Sequence, residues 1–387
     1  MKKILKYAAA VFAVFFAVAL AVTIRAVPEL PGYFLALAKS PFQKQIPPEQ
    51  LLSRIEAYGF KPGAPLEDRI VVIPAALLEL FRTDDKAPEY EAYAPSAGDK
   101  ALVLEYIGLM PKIYADNFRE RCAGIYFIKN LKGNGVTSWA TDADAKIYFT
   151  VVLNPAALNE DLSATLTARE SSCFKPQPGV AVSVDAGRKY KGLLYGLFHE
   201  GAHGLDYVKG ISPVADDTMP ESLRTPPGLT ASFFGAYWEG FRKPAAVNDS
   251  PLRGEITFYG LNGGPKIPFS EAPRLYSWLA KSPFVSLYGS MSWAEDMAEL
   301  STFQLLTHTL GQPYKITVTG LPRPLVLEPL KLKEQFMRAA LLMNDLDPSG
   351  RHIPAAGARL PGAAVLEAQQ KKAEDLLMEA ERLLKKN

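Results

Sequence analysis

The chain is poor in cysteine and carries almost no net charge. Two cysteines in 387 residues exclude a small fold held together by several disulfide bonds. The 43 lysines and arginines against 41 aspartates and glutamates leave a net charge of +2, which gives no electrostatic basis for binding nucleic acid. Because 48% of the residues are hydrophobic, the chain can bury a sizeable core, and disorder along its whole length is excluded.

Long hydrophobic runs are also scarce, with one exception at the N-terminus. Lys2, Lys3 and Lys6 precede an uncharged run of 18 residues from Tyr7 to Ile24. A helix of that length is about 27 Å long, close to the ~30 Å hydrocarbon core of a membrane. We expect residues 1–26 to form an apolar helix that is either a signal-anchor in the membrane or a cleaved signal peptide. Both alternatives export the rest of the chain, to the periplasmic side of a bacterial inner membrane or beyond.

Export bears on the state of the two cysteines. An oxidising compartment permits a disulfide between Cys122 and Cys173. The alternative is two buried free thiols, and the sequence leaves both open because pairing depends on geometry.

Composition and periodicity divide the remainder into four segments. Residues 27–122 are expected to form a mixed, largely helical region, and residues 123–346 an α+β domain. Residues 347–362 are rich in glycine and proline, as in a linker, and residues 363–387 predict an amphipathic helix. Within these segments we expect helices at 50–58, 75–81, 101–122 with a break at Pro111, 188–208, 231–241 and 292–310, and strands at 69–73, 125–128, 146–153 and 315–319.

The motif that carries chemistry is His199-Glu200-Gly201-Ala202-His203. Two histidines four residues apart lie on one face of a helix, so both imidazoles can reach the same ion. Glu200 can reach a water on that ion without being a ligand. This H-E-x-x-H arrangement suits Zn²⁺, whose catalytic sites keep one position open.

A catalytic zinc site needs a third protein ligand. The spacing favours Glu295 on the expected helix after Ser292, because Glu299, one turn later, can then orient a ligand histidine. The alternatives are Glu299 itself, His308 and His352. Ser292-x-x-Glu295 is also the pattern of a capping box at a helix start.

Together, HEGAHGLD and the later AEDMAE resemble the gluzincin metallopeptidases, and are most similar to the anthrax lethal factor-like group and related bacterial zinc peptidases. The resemblance implies a zincin-like domain with an active-site helix and a second, ligand-bearing helix. It implies His199, His203 and Glu295 as zinc ligands and Glu200 as the general base.

The resemblance also implies three further roles. Tyr288, seven residues before Glu295, would assist the transition state, Glu299 would support a ligand histidine, and Asp206 would have a supporting role near the metal. One departure is the distance of 92 positions between His203 and Glu295. We expect the intervening segment, rich in proline and glycine, to form a loop over the cleft.

These patterns predict an exported, zinc-dependent metallopeptidase that hydrolyses peptides or proteins. A strand before the active-site helix, at 146–153 or 180–184, would offer its edge to an extended substrate. The alternatives are a non-catalytic envelope binding or scaffold protein with a structural zinc site, and a metal-dependent hydrolase of cell-wall peptides.

Overall fold

A computed structural model describes residues 52–61, 63–225, 234–321 and 324–346. The N-terminal apolar run, the linker expected at 347–362, His352 and the amphipathic helix expected at 363–387 lie outside these ranges. No helix within the described ranges is long and apolar enough to cross a membrane.

The described residues form a mixed α+β fold with eight α-helices and four small sheets. The helices are α1 Ala75–Asp84, α2 Ala97–Gly108, α3 Lys112–Arg121, α4 Leu162–Ser171, α5 Leu193–Lys209, α6 Ala272–Lys281, α7 Trp293–Gln304 and α8 Lys333–Leu346. The strands are β1 Glu91–Ala92, β2 Cys122–Lys129, β3 Gly135–Thr141, β4 Ile147–Leu153, β5 Phe174–Lys175, β6 Ala181–Asp185, β7 Trp238–Gly240, β8 Lys243–Pro244, β9 Ile267–Pro268, β10 Lys315–Thr319 and β11 Leu325–Leu327.

The largest sheet has the strand order β1-β2-β4-β3. Strand β4 is buried along its whole length and pairs on both sides, parallel to β2 and antiparallel to β3. Of the two strands expected to offer an edge, residues 146–153 therefore do not, whereas residues 181–184 of the other lie in β6, an outer strand of the sheet β11-β10-β6. The outer strand beside β4 is β3, which the sequence analysis missed because its residues do not alternate clearly between apolar and polar.

The histidine-bearing helix α5 packs closely on this sheet and on α3. A Cβ atom at Gly204 would lie 2.6 Å from the ring of Phe149 on β4, and one at Gly201 would lie 2.7 Å from the ring of Phe118 on α3. These glycines therefore let the helix approach its neighbours, and strict close packing explains their presence in a helix that they intrinsically weaken. Helix α5 begins at Leu193 and ends at a left-handed Gly210.

A second sheet has the order β11-β10-β6 and confirms the strand expected at 315–319. The strand expected at 69–73 is absent, because Ile70 alone forms a bridge, with Ile125, while Val71 and Val72 are exposed. Residues 238–240 of the helix expected at 231–241 form strand β7 instead, and its residues 231–233 lie outside the described ranges.

Both cysteines are buried free thiols, so the disulfide alternative is wrong. Cys122 begins β2, and its thiol lies 3.4 Å from the carbonyl oxygen of Gly124, to which it donates. Cys173 follows α4.

Candidate metal centre

Two helices bring the expected ligands together. His199 and His203 lie one turn apart on α5, and Glu295 lies in the first turn of α7. The hydroxyl of Ser292 caps α7 by accepting a hydrogen bond from the backbone N–H of Glu295 at 3.2 Å. The side chain of Glu295 points instead to the histidines, so the residue contributes its backbone to the cap and its carboxylate to the site.

The three side chains could hold a metal ion. His199 Nε2 lies 3.0 Å from Glu295 Oε2 and 3.2 Å from His203 Nε2, and His203 Nε2 lies 3.4 Å from Glu295 Oε2. Ligand atoms placed tetrahedrally around zinc at its usual bond lengths are about 3.3 Å apart. The donor set and its spacing therefore fit a tetrahedral ion with one further position for water.

The charges of the site also favour a cation. Burial lowers the pKa of His199, but hydrogen bonds and charges from Glu295 and Glu299 outweigh burial and raise it to about 10. Burial raises the pKa of Glu295, but the charges and hydrogen bonds of His203 and His199 together outweigh burial and bring the pKa well below its usual range. The carboxylates thus attract positive charge to this point, and a divalent ion would supply that charge with both histidines neutral.

Glu299 supports His199 from the side away from the other ligands. Its Oε1 lies 3.0 Å from His199 Nδ1, and its side chain is fully buried. A proton on Nδ1 leaves the Nε2 lone pair available to a metal. Burial raises the pKa of Glu299, but Arg169 and His199 lower it to about 2, so the carboxylate stays ionised.

Glu200 lines the same cleft but is not one of the three clustered ligands. Thr137 on β3 donates a hydrogen bond of 2.7 Å to Glu200 Oε2. Burial raises the pKa of Glu200, while the two histidines and the hydrogen bond from Thr137 lower it. Gly135, also on β3, borders the carboxylate so closely that a Cβ there would lie 2.9 Å from Oε1.

Tyr288 lines the cleft, whereas Asp206 is buried at the end of α5. Tyr288 lines the cleft in a short 3₁₀ helix, with its ring centroid 5.6 Å from that of His199. The charge of Glu295 and burial both raise the pKa of Tyr288, so its phenol keeps its proton. Asp206 is buried and accepts a hydrogen bond of 2.8 Å from the backbone N–H of Ser212, which fixes the chain just after α5.

The centre lies in a cleft of about 420 Å³. Its walls are β3, α5 and the start of α7, together with residues 215–218, 241–242 and 257–262 of the segment between the two ligand helices. This segment therefore borders the cleft, as expected from its composition. His308, an alternative third ligand, lies in the π-helix Leu305–Thr309 and lines a separate cavity.

Sequence reasoning missed several residues at the site, Arg169 and Thr137 among them. Arg169 on α4 lies against Glu299, and Thr137 on β3 holds Glu200. Neither belongs to a motif, and the only signal for Thr137 would have been the recognition of β3 as a strand.

No protein-family model matches the chain, and searches of curated proteins and of solved structures gave no match.

Proposed function

We propose that the protein is a zinc metallopeptidase of the gluzincin type with a zincin-like domain. The observation that carries the proposal is the convergence of His199, His203 and Glu295 at separations that suit zinc, with Glu200 beside them in an open cleft. A site with a purely structural ion has no use for a carboxylate held at the position of a base.

Each residue around the centre can have a separate role in peptide hydrolysis. A zinc ion held by the three ligands would polarise the scissile carbonyl and lower the pKa of an attacking water. Glu200 accepts the proton of that water and delivers it to the leaving amine. Tyr288 keeps its proton and can donate a hydrogen bond to the oxyanion that develops. Thr137 fixes the carboxylate of Glu200.

The position of the outer strand β3 is an argument for a peptide as the substrate. Residues 135–137 line the cleft, and β3 pairs with β4 on its other side. Apart from a bridge between Arg54 and Thr141 at the far end, no other strand pairing of β3 occurs in the described ranges. An extended peptide can therefore add to this edge by main-chain hydrogen bonds and present its scissile bond to the metal.

The proposal includes export of the protein from the cytoplasm. The lysine-led apolar segment at 1–26 would export the catalytic region and, if retained, anchor it in the membrane. The substrate is then a peptide or protein in the cell envelope or outside the cell.

The proposal is tested by comparing the wild type with Glu200→Gln, which keeps the shape of the side chain but removes the base. We expect Glu200→Gln to bind zinc as the wild type does and to lose cleavage of a fluorescent peptide library by at least about 10²-fold. The matched control is Glu105→Gln on α2, whose side chain is exposed and does not line the cleft, and which should leave turnover unchanged. Zinc binding without turnover in the wild type would support the alternative of a non-catalytic scaffold protein. Cleavage of cell-wall peptides and of no others would support the alternative of a cell-wall hydrolase.

A further inference from the structure

A fully buried arginine lies behind the metal centre. Arg169, in α4, donates from Nη1 to Glu299 Oε2 at 2.8 Å and from Nη2 to Glu170 Oε1 at 3.1 Å. Its Nη1 also donates to the hydroxyl of Tyr195 on α5. All of these side chains are buried, so the contacts form in a region from which water is excluded.

We propose that Arg169 is a positioning residue for the metal centre. It holds Glu299 in place, and Glu299 in turn holds His199 with its Nε2 directed at the ion. The inference depends on the proposed metal centre but not on peptidase activity.

The contacts of Glu299 show how Arg169 acts on His199. Its two oxygens have separate tasks, because Oε1 contacts His199 Nδ1 at 3.0 Å while Oε2 accepts from Arg169 at 2.8 Å. Tyr195 donates to Oε1 at 2.6 Å, and Ser286 donates to Oε2. Both oxygens of the carboxylate are thus held by residues other than the histidine, and its plane is set without a metal ion.

The charge of Arg169 is as important as its hydrogen bonds. It lies between two fully buried carboxylates, those of Glu170 and Glu299, which would repel each other without it. A buried carboxylate that loses its partner is strongly destabilised and changes its conformation or its contacts. The planar guanidinium can bridge two carboxylates at once, whereas a lysine ammonium is a single point of charge.

A purely structural role for Arg169 predicts a different outcome. Through Glu170, which accepts a hydrogen bond of 2.7 Å from Tyr276, the arginine also connects α4 to α6. If this connection were its whole role, substitution would lower thermal stability and leave the affinity for zinc unchanged. The two roles therefore separate when metal affinity is measured beside stability.

The experiment measures the zinc dissociation constant of the full-length protein by competition with a chromophoric chelator, with thermal unfolding of the zinc-free protein recorded in parallel. The variants are Arg169→Met and Glu299→Gln. Glu170→Gln is the matched control, because it removes a charge from the same buried cluster without touching Glu299. We expect zinc binding to weaken about 10- to 100-fold in the first two variants and by less than threefold in the control.

A double variant tests the direction of the effect. Since Arg169 acts through Glu299, Arg169→Met combined with Glu299→Gln should bind zinc no more weakly than Glu299→Gln alone. If Arg169→Met does not fold, Arg169→Lys takes its place, with an expected affinity between those of the wild type and Glu299→Gln. Wild-type affinity in a folded Arg169 variant, or additive losses in the double variant, would overturn the inference. If wild type binds zinc and shows this pattern but cleaves no peptide, the peptidase proposal fails and the positioning role stands.

Discussion

Replacing Gly135 by alanine should impair catalysis while leaving the metal in place. Gly135 begins β3 on the wall of the cleft, and a Cβ there would lie 2.7 Å from Glu200 Cγ and 2.9 Å from Glu200 Oε1. Carbon atoms in favourable contact are about 3.5–4.0 Å apart, so the carboxylate must move by about 1 Å. The glycine does not adopt a left-handed conformation, and alanine therefore introduces the clash without backbone strain.

The size of the effect follows from that displacement. A misplacement of about 1 Å at a catalytic group can reduce the rate about 10²-fold. This corresponds to about 2.7 kcal/mol in the free energy of activation. Because the nearest contacts of a Cβ at Gly135 would include Glu200, the proposed base, and none of the three proposed ligands, we expect kcat to fall by about this factor while the zinc content stays at the wild-type level.

The assay compares kcat, zinc content and thermal unfolding for Gly135→Ala and for Gly108→Ala. Gly108 is the matched control, since a Cβ at its position would meet nothing within 4 Å. A second neighbour of the new methyl group is Leu153 Cδ2, at 3.0 Å. If Gly135→Ala unfolds at a lower temperature but keeps kcat within threefold, the methyl group displaces Leu153 rather than the carboxylate, and the reasoning is refuted.

Three further predictions concern pH, metal removal and packing. Thr137→Val removes a hydrogen bond that lowers the pKa of Glu200, so this pKa should rise. The acid limb of the pH profile of kcat/KM should then move to higher pH, and an unshifted limb would show that Thr137 does not control the pKa of Glu200. Removing zinc that was present at a free concentration of 100 times its dissociation constant should lower the free energy of unfolding by about 2.7 kcal/mol. For a chain of this size the Tm in differential scanning calorimetry should then fall by about 3–5 °C, and an unchanged Tm would contradict a metal site in the folded state. Gly204→Ala places a methyl group 2.6 Å from the ring of Phe149 and should lower the free energy of unfolding in urea by about 1–3 kcal/mol. A variant as stable as the wild type would contradict this prediction.

The clustering of the candidate ligands could be predicted because the information for it is local. The periodicity of a helix places His199 and His203 on one face, and the same rule places Glu295 and Glu299 one turn apart. Of the capping box that Ser292-x-x-Glu295 also suggests, only the half made by Ser292 forms, because the carboxylate of Glu295 lies against the histidines rather than the backbone at the start of the helix.

The parts that escaped prediction depend on contacts between distant segments. Arg169 meets Glu299 across 130 positions, and nothing in the composition of α4 indicates that its arginine is buried. The apolar stretch at 69–73 has the residues of a strand but only Ile70 finds a partner. The weakly patterned β3 becomes a strand because β4 offers it a full antiparallel register.

The most direct test of the account is the metal content of the purified full-length chain, measured by mass spectrometry for the wild type beside His203→Ala, Glu295→Ala and His308→Ala. The account predicts one zinc ion per wild-type chain, its loss from the first two variants and its retention in His308→Ala, whose histidine lines a different cavity. A wild-type chain that binds no metal after zinc is supplied, or that keeps it in both His203→Ala and Glu295→Ala, would contradict the account.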